Sequence, residues 1–223
     1  MTKRIKKGLF GIIIILLLMS TKNILAISDK KDTYGNTMKK ENIVFLGDSI
    51  VDWYPIDEIF GNMPIVKSGI AGYKTTDILS RMDEMVYQYN PTQVYLLIGT
   101  NDLNMEDMDK DNVVKNIQKI FKEIKKHRKN TKLYYQSIYP VNENAPNSSA
   151  QNRSNEDIKY VNLKMKEFCD ENNIVYIDMY DELADDDGNY DLEYSKDGLH
   201  PNNLGYARIS RVLLKYMYNI DKE

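Results

Sequence analysis

A serine, a histidine and an aspartate in this chain stand where acyl-transfer chemistry needs them. Ser49 follows the apolar run Ile43-Val44-Phe45-Leu46 and then Gly47-Asp48. A glycine at that point lets the chain turn sharply off a buried strand and present a hydroxyl at the turn. Acyl transfer needs such a nucleophile, a base to take its proton, and a group to orient the base. His200 is suited to accept the Ser49 proton through one imidazole nitrogen. Asp197 lies three residues earlier, in a turn bounded by Gly198 and Pro201. That spacing lets its carboxylate meet the other imidazole nitrogen and set the tautomer. Each residue also has a plainer reading. Ser49 suits a helix N-cap, His200 before a proline suits a surface loop, and Asn101-Asp102 after Gly99 suits a turn. Gly72 is, taken alone, a turn glycine, and Asp48 reads as a backbone partner at its turn.

The elements that must position these residues are legible as a pattern. Continuous apolar runs occur at Ile43–Leu46, Pro64–Lys67, Val94–Ile98, Leu133–Ile138 and Ile174–Ile177, as buried parallel strands read. Between them, apolar residues recur at helical spacing. They are Ile78, Met82, Val86 and Tyr89; then Val113, Ile117, Ile120 and Ile124; then Ile158, Val161, Met165 and Phe168. Ile209, Val212, Leu213 and Tyr216 close the chain in the same way. Strands alternating with helices predict a parallel sheet covered on both faces. The expected fold is α/β: a three-layer α/β/α, flavodoxin-like arrangement around a five-stranded parallel sheet. In such a sheet the site lies beyond the carboxyl ends of the strands. The segments there are Gly47-Asp48-Ser49, Ser68-Gly69-Ile70-Ala71-Gly72 and Gly99-Thr100-Asn101-Asp102, joined by Asp197-Gly198-Leu199-His200-Pro201-Asn202 before the last helix.

These four segments, in this order, resemble the SGNH hydrolases, also called the GDSL esterase/lipase family. The resemblance covers roughly residues 42–217. It implies Ser49, His200 and Asp197 as a catalytic triad acting through an acyl-enzyme, with no metal and no organic cofactor. It also implies an oxyanion hole made of the Ser49 and Gly72 backbone N–H groups and the Asn101 side-chain amide. Carboxylic esters with short acyl groups such as acetyl are the implied substrates. A glycan, cell-wall or lipid ester suits the location argued below. An O-acyltransferase with a glycan acceptor uses the same triad, and a retired hydrolase scaffold acting as a surface binding protein belongs to another class. Trp53 and Tyr54 follow the nucleophile turn and are expected either to line the acyl pocket or to pack in the core. Lys67 replaces an Asn common in the family, and Tyr73-Lys74 replaces a frequent Asp-Thr. Tyr73 and Lys74 therefore stand at the expected mouth of the site, where a cation either meets an anionic substrate or faces solvent.

Composition excludes several other classes. The 223 residues carry a formal net charge of −3, and 42% of them are apolar, enough for a core. A pI near 5.6 gives no support to nucleic-acid binding. One cysteine, Cys169, excludes an intramolecular disulfide, and two histidines argue against a His-rich metal site. Cys169 falls on the apolar side of its helix as an inert thiol, and His127 at a basic helix end has no expected catalytic role. Asp185–Asp191 lacks the Gly and Glu positions of an EF-hand loop and reads as an Asp/Gly turn.

Residues 1–28 combine a basic start (Lys3, Arg4, Lys6, Lys7) with the apolar run Leu9–Met19. That pattern fits a signal peptide, or a signal anchor where it is not cleaved. Residues 29–41 form a polar linker before a hydrolase domain spanning 42–223. The expected location is extracytoplasmic, secreted or held at the cell surface, with any membrane contact through the N-terminal segment alone. Oligomeric state has no signature, and the long polar stretch Val141–Asp157 reads as a lid, a partner surface or a disordered loop.

Overall fold

The computed structural model describes residues 42–107 and 109–218. The expected signal segment, and the linker up to residue 41, lie outside the described residues. Five parallel strands form one sheet: β1 (Ile43–Gly47), β2 (Ile65–Gly69), β3 (Gln93–Leu97), β4 (Lys132–Gln136) and β5 (Val175–Ile177). Their order is β2-β1-β3-β4-β5, the flavodoxin-like order whose switch point lies between β1 and β3. All pairings are parallel, with Ile43 opposite both Ile65 and Gln93.

The central strands β1 and β3 are buried along their whole length because both faces of the sheet are covered, while the edge strand β2 carries the exposed Lys67. Successive side chains alternate between faces. On one face Val44, Leu46, Val94, Leu96, Leu133 and Tyr135 join a core closed by helices. These are α3 (Thr75–Ser80), α4 (Met82–Met85), α5 (Lys110–His127) and α6 (Asn155–Asn172). On the other face Ile43, Phe45, Tyr95, Leu97 and Tyr134 pack under a second group. It comprises α1 (Ser49–Asp52), α2 (Ile56–Phe60), α7 (Tyr180–Leu183) and α8 (Asn203–Tyr218). Cys169 is fully buried in α6, and burial pushes its thiol up to about 12, where it stays protonated.

One stretch departs from the expected pattern. The single helix suggested by Ile78, Met82, Val86 and Tyr89 is instead α3, α4 and a 3₁₀ turn at Tyr87–Tyr89. Arg81 and Val86 leave the helical region at φ −130° and −132°. Ile78, Met82 and Val86 are nonetheless all buried. Periodicity reports which side of a segment faces the sheet, not whether its hydrogen-bond ladder is continuous.

The polar stretch after β4 is an ordered connection rather than a free loop. Asn142 donates its N–H to Gly198 O at 2.9 Å, and Ser149 N–H donates to Asp197 O at 2.8 Å. The Asn155 side chain bonds both the N–H and the C=O of Val141, at 2.9 and 2.8 Å. The stretch therefore lies against the turn that carries Asp197 and His200. An added Cβ at Gly198 would sit 2.0 Å from Asn142 O, and Gly198 has φ +69°. Only glycine meets both demands there.

Candidate active site

Ser49 is the first residue of α1, directly beyond β1. The N-cap is Asp48, whose Oδ1 accepts the Ile50 N–H at 3.0 Å. That leaves the Ser49 hydroxyl free of capping duty, and its Oγ lies 3.1 Å from His200 Nε2. His200 Nδ1 lies 2.7 Å from Asp197 Oδ2. A donor and acceptor chain thus runs from hydroxyl through imidazole to carboxylate, within normal hydrogen-bond lengths. It joins residues 151 positions apart.

The turn holding Asp197 and His200 largely secures itself. Asp197 Oδ1 accepts the N–H groups of His200 at 2.8 Å and Leu199 at 3.1 Å. Ser195 Oγ donates to His200 O at 2.8 Å, and Ser195 bridges to Pro201. Asn202 then caps α8, its Oδ1 accepting from Leu204 and Gly205. Partial burial pushes the Asp197 carboxyl up, but the His200 ring and the two N–H donors together outweigh it and hold it down at about 2. Asp197 is therefore an anion throughout the neutral range.

The other side of Ser49 is built from two more strand ends. After β2, Ile70 N–H returns to Gly47 O at 3.2 Å, and Tyr73 N–H closes a turn on Ile70 O at 3.1 Å. Gly72 sits in this turn with φ +81°, exposed, with nothing within 4 Å of an added Cβ. It is required for its backbone conformation and not for space. After β3, the Asn101 Nδ2 donates to Tyr73 O at 3.0 Å, tying its amide to the residue after Gly72. Asp102 is buried and accepts the Thr75 N–H at 3.0 Å and the Thr75 hydroxyl at 2.5 Å. It pins the start of α3 to the β3 loop.

The expected lining residues separate. Trp53 is 52% exposed, with its ring 4.5 Å from that of His200. Tyr54 is 3% exposed, so the acyl-pocket expectation is corrected to core packing. Its hydroxyl bonds Ser210 Oγ at 2.8 Å, and its ring packs edge-on to Phe45 and tilted against Phe60 and Tyr206. Trp53 is the C-cap of α1 and Tyr54 follows it, its N–H bonding Val51 O at 3.2 Å, so the two side chains leave the end of the helix in different directions. Tyr73 offers its carbonyl to Asn101, while its ring meets Arg81. Lys74 is half-buried at the start of α3, where its charge faces Asp102.

One residue escaped the sequence reading. Arg153, in the polar stretch, is 9% exposed and reaches the Asn101 loop. Its Nη2 donates to Asn101 Oδ1 at 2.9 Å and its Nε to Thr100 O at 2.8 Å. An isolated arginine among Asn and Ser was the only signal available, and burial of a cation is not readable from that.

A doubly wound parallel sheet with Ser49, Asp197 and His200 gathered beyond its strand ends defines an α/β hydrolytic enzyme of the SGNH type. The chain belongs to the GDSL-like Lipase/Acylhydrolase family, whose model matches residues 45–208, and it is an ester hydrolase. It is similar, at 34% identity and a TM-score of 0.75, to a structure from Streptococcus pneumonia provisionally named a platelet activating factor. That match covers 82% of this chain and 87% of the other. A provisionally assigned acylhydrolase from Bacteroides fragilis shares the fold at 21% identity and a TM-score of 0.73, covering 83% and 89%. An acetylxylan esterase from Geobacillus stearothermophilus does so at 19% and 0.60, covering 78% and 93%. The chain is also 26% identical over 182 residues to an Escherichia coli N-acylneuraminate cytidylyltransferase. That match takes in 81% of this chain but spans only 41% of the relative's length.

Proposed function

We propose that this chain is an exported serine esterase acting on short-chain acyl esters, acetyl above all, of a carbohydrate, cell-wall component or lipid. The observation that carries the reading is the Ser49–His200–Asp197 chain, at 3.1 and 2.7 Å. Ser49 Oγ attacks the ester carbonyl carbon while His200 Nε2 takes its proton. The carbonyl oxygen becomes an oxyanion, held by the N–H groups of Ser49 and Gly72 and by Asn101 Nδ2. His200 returns the proton to the leaving alcohol oxygen as the C–O bond breaks. Water then attacks the acyl-enzyme by the same route and releases the acid. Asp197, ionised at neutral pH, keeps Nδ1 protonated and stabilises the imidazolium without taking the proton itself.

The exposed Trp53 ring beside His200 supports a carbohydrate alcohol, because an indole face suits the apolar side of a sugar ring. A fold shared with an acetylxylan esterase is consistent with it. Export is supported by the basic start and apolar run of residues 1–28. The test is hydrolysis of p-nitrophenyl esters from acetate to palmitate by residues 29–223, beside Ser49→Ala. Turnover should peak at the shortest chains and vanish in the variant, with the melting temperature nearly unchanged. Activity in Ser49→Ala within tenfold of the parent would remove the nucleophile assignment.

A further inference from the structure

Resting on that reading, we infer that Arg153 is a positioning residue for the oxyanion hole: it sets which end of the Asn101 amide faces the reacting carbonyl. A carboxamide has a donor end and an acceptor end of nearly the same shape, and its terminal torsion is broad. Asn101 lies in a loop, so its own backbone does not decide between the two orientations. Arg153 does. A guanidinium has donors only, and Nη2 stands 2.9 Å from the Asn101 Oδ1 position. An NH₂ group turned that way would set donor against donor. The oxygen is therefore held on the Arg153 side, and Nδ2 is held on the side of Tyr73 O at 3.0 Å. One Nδ2 hydrogen serves Tyr73; the second is the one assigned to the oxyanion.

Arg153 is itself immobilised. Nε also meets Thr100 Oγ1 at 3.1 Å, and Nη1 meets Ser149 O at 3.1 Å and Ala150 O at 3.2 Å. The planar fork thus spans the polar stretch and the β3 loop in one geometry, which a flexible ammonium cannot reproduce. A second effect follows from the charge. A cation on the amide oxygen polarises the carboxamide and strengthens its N–H as a donor, which acts on the transition state more than on bound ester.

The experiment is a double-mutant cycle in p-nitrophenyl acetate hydrolysis with Arg153→Met and Asn101→Ala, read as kcat and KM separately. Loss of one oxyanion donor costs about 10²–10³ in kcat, so Asn101→Ala should fall in that range and Arg153→Met should lose about 10–100-fold, with KM within threefold. Because Arg153 acts through Asn101, adding Arg153→Met to Asn101→Ala should lower kcat by less than about threefold more. Arg153→Lys should recover only a small part of the loss, and it carries the same cycle where Arg153→Met does not yield folded protein. An equal kcat loss from Arg153→Met in both backgrounds, or a change confined to KM or melting temperature, would overturn the inference. In that case Ser49→Ala and Asn101→Ala would still lose turnover and the esterase reading would stand. Full turnover in Ser49→Ala would overturn both.

Discussion

On one side of Ser49, Asp197 and His200 sit in a turn whose hydrogen bonds mostly begin and end within Ser195–Pro201. On the other side, the proposed oxyanion donors come from separate segments. Gly72 follows β2, Asn101 follows β3, and Arg153 and Asp102 hold them in place from 52 and 27 residues' separation. The first half is fixed largely by bonds within its own turn, with the polar stretch packed against it through Asn142 and Ser149. The second half exists only when the whole sheet has formed. In the proposed mechanism, acid–base chemistry rests on a motif and charge stabilisation on the tertiary fold.

The largest expected effect tests the self-contained half. Asp197→Asn keeps an oxygen to accept the Leu199 and His200 N–H groups, so the turn should persist and the melting temperature should move little. The amide nitrogen, however, would face His200 Nδ1 and impose the wrong tautomer. Turnover should fall by up to about 10⁴, measured as kcat on p-nitrophenyl acetate. A loss under tenfold would mean that something other than Asp197 orients His200, and the contrast between the two halves would collapse.

That contrast also explains what could be read in advance. The parallel strands are legible as short, mostly apolar runs, because both faces of the sheet are covered. Ser49, Asp197 and His200 were legible because a turn and a three-residue spacing are written locally. Arg153 was not, since its role depends on Ser149, Thr100 and Asn101 converging in space. The break at Arg81 was hidden for a related reason: side-chain periodicity persists across it. Pocket and core stay open alternatives for Trp53 and Tyr54 in the sequence because two adjacent aromatics look alike there; the chain path leaving α1 exposes one ring and buries the other.

A middle-sized effect separates those two neighbours. Trp53→Ala removes a ring exposed at the site, and an aromatic contact of about 0.5–1.5 kcal/mol corresponds to a loss of about 2–10-fold in kcat/KM. Its melting temperature should stay near the parent's. Tyr54→Phe should do the opposite, leaving kcat and KM alone while costing about 0.5–1.5 kcal/mol of stability through the lost Ser210 bond. Thermal melts and p-nitrophenyl acetate kinetics on the two variants check this. Equal effects on catalysis would return Tyr54 to the acyl pocket.

The last effect leaves catalysis aside and lies in acid stability, where two carboxyls beside the site pull in opposite directions. Burial pushes the Asp48 carboxyl from its ordinary 3.8 up to about 7, against the Ile50 N–H and the Arg153 charge. Between those values the folded chain keeps a proton that the unfolded chain has released. Stability from this group therefore declines as pH rises from about 4 to about 7, and is flat above. Asp197, held down at about 2, has the reverse sign: its contribution is complete above the ordinary 3.8 and is lost as pH falls from there toward 2. The two windows do not overlap, so one titration resolves them. Asp48→Asn cannot ionise, and its melting temperature relative to the parent should climb steadily between pH 4 and pH 7, then level off. A difference that stays constant across that range would place the Asp48 proton loss below pH 4. Its Oδ2, buried with no hydrogen-bond partner, would then be carried as an anion stabilised by Arg153, and the guanidinium would serve both the capping carboxyl of α1 and the Asn101 amide.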